Sequence, residues 1–331
     1  MRKILLLAFL FALLGVPAFA QSPQTYYIDY VGGSNSNNGT STSTPWKSHP
    51  YMQNAAGCAG APHGYTHVAG DQFIFKGGVT WPAACFGMSV PLGGSSSTSD
   101  YYGVSLSYFT GGSFTRPIFD LANTIPLGTT FSGGTSFSVM IVRAANVTVD
   151  NIEIKRQFIK GGHSGPSSGY DCGLYFDSGA THGLVENGFF HDWVSDTANI
   201  NAGWSNCAGG IGQNGGSYTA TNMTISGQNS MDLTRGVQVS FGGCFQNSSG
   251  VSNSLCQYVG QGALGFFGNV NDNEFAHLSN AGVESPYTNG IHTNVIEQTG
   301  TEFGAAVYNN LIHDNNPIGV TILDCSTAKI Y

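Results

Sequence analysis

The chain has 331 residues, only 9% of them charged, and its 19 acidic residues against 11 basic ones give a formal net charge of −8. That balance argues against nucleic acid or an anionic membrane as partner. The 47 glycines, with many Ser, Thr and Asn and 12% aromatic residues, suit stacked short strands with many turns rather than a disordered tract, which would lack the aromatics.

Residues 1–20 read as a secretory signal peptide: Arg2 and Lys3, an apolar run from Ile4 to Val16, then Ala18-Phe19-Ala20 before Gln21. The apolar run is shorter than the roughly 20 residues of a spanning helix, and no later segment replaces it. The expected mature chain therefore starts near Gln21, is extracellular or periplasmic, and keeps 9 basic residues against 19 acidic ones, a formal charge of about −10. Export makes disulfides expected among its seven cysteines. Sequence proximity favours Cys58 with Cys85, Cys172 with Cys207 and Cys244 with Cys256, leaving Cys325 over, although connectivity itself is not deducible from sequence. No CxxC or Cys/His cluster has zinc spacing.

Helical periodicity is nearly absent, since glycine interrupts almost every window. One short capping helix is expected after Pro45, over Trp46 to Ala56. Phe73-Ile74-Phe75, Ser138 to Val142 and Val147 to Ile154 read instead as brief strands with one face buried. A degenerate repeat then places an apolar residue two positions after an asparagine, at Asn187, Asn253, Asn273, Asn294 and Asn310, with shifted versions at Asn151 and Asn222. From Asn253 to Asn310 the successive asparagines stand 20, 21 and 16 residues apart, close to the coil length of a solenoid. Asparagine tolerates the left-handed backbone of a sharp corner, and its amides can hydrogen-bond up the column.

Tyr26-Tyr27-Ile28-Asp29, Gly33 to Thr40, Pro45-Trp46 and the segment Ala69 to Gly78, in which Gly70-Asp71 precedes a buried strand, resemble the first part of pectin-lyase-like right-handed parallel β-helix proteins. With the later repeats, the resemblance covers nearly the whole mature chain. It implies an all-β parallel β-helix, with 21–70 as lead-in and N-terminal cap and 71–331 as the helix. No C-terminal cap is evident after Ile322 to Tyr331, so a longer natural chain or a covering tail is expected. The resemblance also implies a secreted carbohydrate-active protein, a polysaccharide lyase or glycoside hydrolase; a monomer is expected. Since one fold hosts many functions, a non-catalytic glycan-binding or adhesion protein is the rival expectation.

Outward side chains of successive coils stack about 4.8 Å apart and can line a groove for an extended polymer. If Ile291 points inward, His292 points outward before a corner at Asn294, and Glu297 follows on the next strand. Aligning the asparagines places His191, His277, Glu297 and His313 near one sheet edge. His277, Glu284, His292 and Glu297 are therefore candidate catalytic residues; the plainer reading is polar positions that recur at corners. Asp232 and Arg235 form a second candidate, with an exposed ion pair as the plain reading, and both readings predict exposure. Tyr287 and Tyr308 are candidates for stacking on sugar, and Asn294 for substrate binding.

The motifs of polygalacturonase-like members, clustered aspartates with Gly-His-Gly and Arg-x-Lys, are absent. Members resembling pectate lyase use calcium and an Arg or Lys base; here acids are present but basic partners are scarce. His292 could act as base in their place, and Glu284 with Glu297 is a formal pair for inverting hydrolysis, at a separation the sequence does not fix. The sequence identifies no metal ligand set. The sparse, acidic charge favours a neutral or weakly acidic polysaccharide at long range.

Overall fold

A computed structural model describes residues 21–53, 58, 64–131, 134–159, 171–196, 207–238, 242–278, 294–299, 305–315, 318–323 and 329–330. The chain winds through three parallel sheets of ten, eight and eight strands, visited in the same order on every coil. One coil runs through Val147–Asp150 in the first sheet, Glu153–Gln157 in the second and Leu174–Phe176 in the third. The next returns with Gly183–Glu186 to the first. This is a parallel β-helix, with the right-handed sense that parallel crossovers take.

Alternation along each strand decides what faces in. In the first sheet Tyr26, Phe73, Tyr102, Val149, Val185, Ala220, Val251, Val270 and Val307 occupy one register column, and all are buried. The second sheet contributes Trp81, Phe119, Ile154, Phe190, Ile225, Cys256 and Phe275. The core is thus aromatic in the first coils and mainly aliphatic in the first sheet thereafter.

The N-terminal end is closed by the lead-in segment. Trp46 bridges to Ile28 and stacks on Tyr26 with ring centroids 4.3 Å apart. Asp71 anchors the first full coil by accepting from the Gln24 and Val68 amides and the Tyr65 hydroxyl. The capping helix expected over 46–56 does not form across its described part: 46–53 holds a bridge, bends and turns. Trp46 is instead spent on the β-bridge and Asn35 ties down the Lys47 and Ser48 amides, which leaves no helical hydrogen-bond ladder.

The first two coils pass from the first to the second sheet through longer segments, Phe75 to Thr80 and Gly103 to Ile118; from Val147 onward each such corner takes two residues, the first with positive φ: Asn151, Asn187, Asn222, Asn253, Asp272 and Asn309. Two sequence assignments shift accordingly. Asn273 and Asn310 follow the left-handed residue and turn inward, Asn273 donating to Asn310 Oδ1 at 3.0 Å and to the Val251 carbonyl. Asn294 is no corner; it opens the third-sheet strand Asn294–Thr299, where buried Ile296 reproduces the Asn-x-apolar spacing.

Coils are also longer than the asparagine spacing suggests. Long stretches intervene between the second and third sheets, from Gln157 to Leu174, His191 to Ile211, Ser226 to Gly243 and Ala276 to Asn294, against three residues between Gln257 and Gln261. The three expected disulfides are present, with Cα separations of 5.1, 5.0 and 6.0 Å. Cys325 lies outside the described residues. Among the described residues no helix is long and apolar enough to cross a membrane.

Candidate active site

The corner between the first and second sheets brings carboxylates together. Because Val149 and Val185 face the core, Asp150 and Glu186 face outward, and the two are register partners on adjacent strands. Asp150 is held from three sides. The Tyr101 hydroxyl donates to its Oδ2 at 2.5 Å, while the Asn151 and Asn187 amides donate to its Oδ1 at 2.8 and 2.7 Å. Asn222 continues the ladder by donating to Asn187 Oδ1 at 3.3 Å. Around the corner, Arg116 Nε donates to the Asn187 carbonyl at 3.0 Å.

Glu186 differs from its neighbour. Its carboxyl has no hydrogen-bond partner among the described residues, and burial, with the Asp150 charge second, raises its pKa from the ordinary glutamate value. Burial and donation to Asp150 likewise raise the Tyr101 phenol, so it remains a protonated donor. A carboxyl of raised pKa one strand spacing from a hydrogen-bonded carboxyl is an arrangement that acid–base chemistry can use.

An open groove of about 530 Å³ adjoins this corner on the outer face of the first sheet. Thr25, Tyr27, Gln72, Ile74, Tyr101 and Thr148 are among its lining residues. Tyr101 therefore belongs to both the groove and the Asp150 cluster.

The sequence-predicted residues are dispersed. Glu284, Tyr287 and His292 lie outside the described residues, in the sequence between Ala276 and Asn294. Glu297 sits on the third sheet beside Leu264 and Thr321. Asp232 is fully buried, contrary to the expected exposure. It accepts the Thr234 and Arg235 amides at Oδ1 and Arg235 Nε at Oδ2, closing its own turn at 2.6 Å from the guanidinium. That turn precedes the third-sheet strand Gly243–Gln246, two strand spacings before the one carrying Glu297.

His277 occupies a second left-handed corner, after the second sheet, stacked on Tyr258 at 4.7 Å and edge-on to His313 at 6.1 Å. His313 bonds Glu274 and Asp314 in turn. His191 shares the register column of His313 but lies four strands away, between Glu153 at 3.2 Å and Asp192 at 2.7 Å. No common histidine site forms from these two. Tyr308 does face outward on the first sheet, in the column that also carries Glu186, Thr221, Ser252 and Asn271.

The residues sequence reasoning missed are Tyr101, Asp150 and Glu186. Their signal was present: an acid directly precedes the corner asparagine in Asp150-Asn151 and again in Glu186-Asn187.

No protein-family profile matches the chain, and no curated protein matches it. Among solved structures, a rhamnogalacturonan lyase aligns at 14% identity over 93% of this chain and 87% of its own, with a TM-score of 0.41. A GH136 lacto-N-biosidase from Eubacterium ramulus aligns at 10% identity over 93% of this chain and 68% of its own, with a TM-score of 0.45. An alginate lyase from Paenibacillus sp. str. FPU-7 aligns at 10% identity over 78% of this chain and 92% of its own, with a TM-score of 0.32. Function therefore has to be read from the residues themselves.

Proposed function

We propose that the protein is a secreted glycan-cleaving enzyme, a glycoside hydrolase whose catalytic pair is Glu186 and Asp150. The observation that carries this reading is the contrast between them: Glu186 unpartnered and raised by burial and by Asp150, Asp150 fixed by Tyr101, Asn151 and Asn187. In-register neighbours on adjacent strands stand about 4.8 Å apart, near the roughly 5 to 5.5 Å carboxyl separation of retaining enzymes.

In the first step Glu186 gives its proton to the glycosidic oxygen as the bond to the anomeric carbon breaks. Asp150 supplies the carboxylate oxygen that forms the new bond to that carbon. In the second, Glu186 takes a proton from water, whose oxygen displaces Asp150 and regenerates both carboxyl groups. Tyr101 positions Asp150 through its hydrogen bond. Its raised phenol makes a poor base, which favours hydrolysis over tyrosine-driven β-elimination.

Incubation with a panel of polysaccharides, with and without calcium, tests the reading by scoring new reducing ends and the ultraviolet absorbance of unsaturated ends. Reducing ends alone, lost in Glu186→Gln, are expected; unsaturated ends would overturn hydrolysis. A second reading, a glycan-binding protein without turnover, draws on the three donors that saturate Asp150 as they would a purely structural corner. Oligosaccharide binding with no cleavage by the wild-type chain would select it.

A further inference from the structure

We infer that the groove on the first sheet takes an uncharged glycan chain laid along the helix axis, with Tyr27 as its stacking platform; this rests on the hydrolase reading of Glu186 and Asp150. The direction follows from register. Thr25, Gln72, Tyr101 and Thr148 are partners on four successive strands, so the groove crosses strands rather than following one. Three strand spacings make a track of roughly 14 Å. The next step in the same column is Leu184, two residues before Glu186 on its strand, so the track leads to the carboxyl pair.

The chemistry follows from the lining. Hydroxyls, one amide, aliphatic side chains and two phenols surround the groove, and no carboxylate, ammonium, guanidinium or imidazole is among them. Such a wall offers hydrogen bonds to sugar hydroxyls and apolar surface to ring faces, as neutral sugars require. Tyr108 packs edge-on against Tyr27 at 5.2 Å and 82°, which fixes the orientation of the Tyr27 ring before any ligand arrives.

A uronate chain would carry one carboxylate per acidic sugar toward the Asp150 carboxylate. The nearby cations do not offset this. Lys76, two residues beyond Ile74 on the outward face, donates to Asp29 at 2.6 Å, and its ammonium lies 5.5 Å from the Tyr108 ring centroid. Arg116 is beyond the carboxyl pair, at the sheet corner, with its Nε on the Asn187 carbonyl.

The test measures reducing-end release from two matched sets, neutral polymers (β-glucan, xylan, galactan, mannan) and uronate polymers (polygalacturonate, alginate, glucuronan), by wild type and Tyr27→Ala. Cleavage confined to neutral chains is expected, with KM raised about tenfold by Tyr27→Ala and kcat changed far less. Melting temperature monitors the fold of the variant. Release from uronate polymers alone, or equally from both sets, overturns the neutral assignment and leaves the carboxyl pair standing. Neutral cleavage indifferent to Tyr27→Ala overturns the groove. Cleavage of neither set overturns the hydrolase reading, and calorimetric titration with neutral oligosaccharides then decides the groove separately: binding weakened by Tyr27→Ala keeps it, and no binding removes it.

Discussion

At the scale of single residues, proton affinities separate chemistry from scaffold. Glu186 is raised by burial first and by Asp150 second, so removing the neighbouring charge lowers its pKa only in part. Carbon-detected NMR of the Glu186 carboxyl in Asp150→Asn is expected to show a fall that stops short of the ordinary glutamate value of about 4.3. His49 belongs to the scaffold. Its ring is buried against Phe73 at 4.2 Å, its Nδ1 accepts the Tyr51 amide, and burial holds its pKa well below the usual histidine value. The unfolded chain binds that proton near pH 6.5 while the folded chain does not, so the stability His49 contributes is complete above about pH 6.5 and is lost as pH falls toward the folded value. Melting temperature measured from pH 7 down to about pH 5 should decline in wild type and flatten in His49→Gln. His191 has the opposite sign. Burial alone would lower it, but hydrogen bonds to Glu153 and Asp192 outweigh that and raise it, so its contribution is complete below about pH 6.5 and disappears as pH rises through the folded value.

At the scale of elements, the two-residue corner does most of the specifying. Asn187 combines positive φ with a donor to Asp150 and an acceptor for Asn222, so one side chain ties three coils together. Replacing it with alanine removes both hydrogen bonds and leaves a side chain that pays for the left-handed backbone. Asn187→Ala should lose about 1–3 kcal/mol in urea unfolding, whereas Asn187→Gly should recover the backbone part and lose only the hydrogen bonds. Equal losses for the two variants would mean that the backbone conformation contributes nothing.

At the scale of the whole molecule, stability should be graded along the axis. The first coils bury Trp81, Phe119, Phe73 and Tyr102, where the later first-sheet coils bury Val251, Val270 and Val307. Larger apolar area per coil, with nearest-neighbour coupling between coils, predicts slower amide exchange at Phe73–Phe75 and Phe119–Leu121 than at Val270–Asn271 and Ala306–Tyr308. A uniform exchange profile would contradict it. The same scale shows what the sequence made legible. Period-two alternation was enough to place Phe73 and Val147 to Ile154 in strands, and proximity was enough for three disulfides, because both are local. The site was not local. Asp150 and Glu186 are 36 positions apart and become neighbours only when coils are aligned on their left-handed residues, whose spacings of 36, 35, 31, 19 and 37 conceal the repeat. Aligning on asparagine identity instead selects Asn273, Asn294 and Asn310, which share the letter but not the left-handed position.

Those uneven spacings have a simple origin with a practical corollary. From Val147 onward, added length gathers where the second sheet gives way to the third, while the corner carrying Asp150 and Glu186 is closed by two residues on each coil. That part of the helix is therefore divided into an expandable flank and a fixed one: a peptide spliced into the first lengthens a coil without changing its pitch, while a single residue added to the second would rotate every outward side chain of its strand into the core.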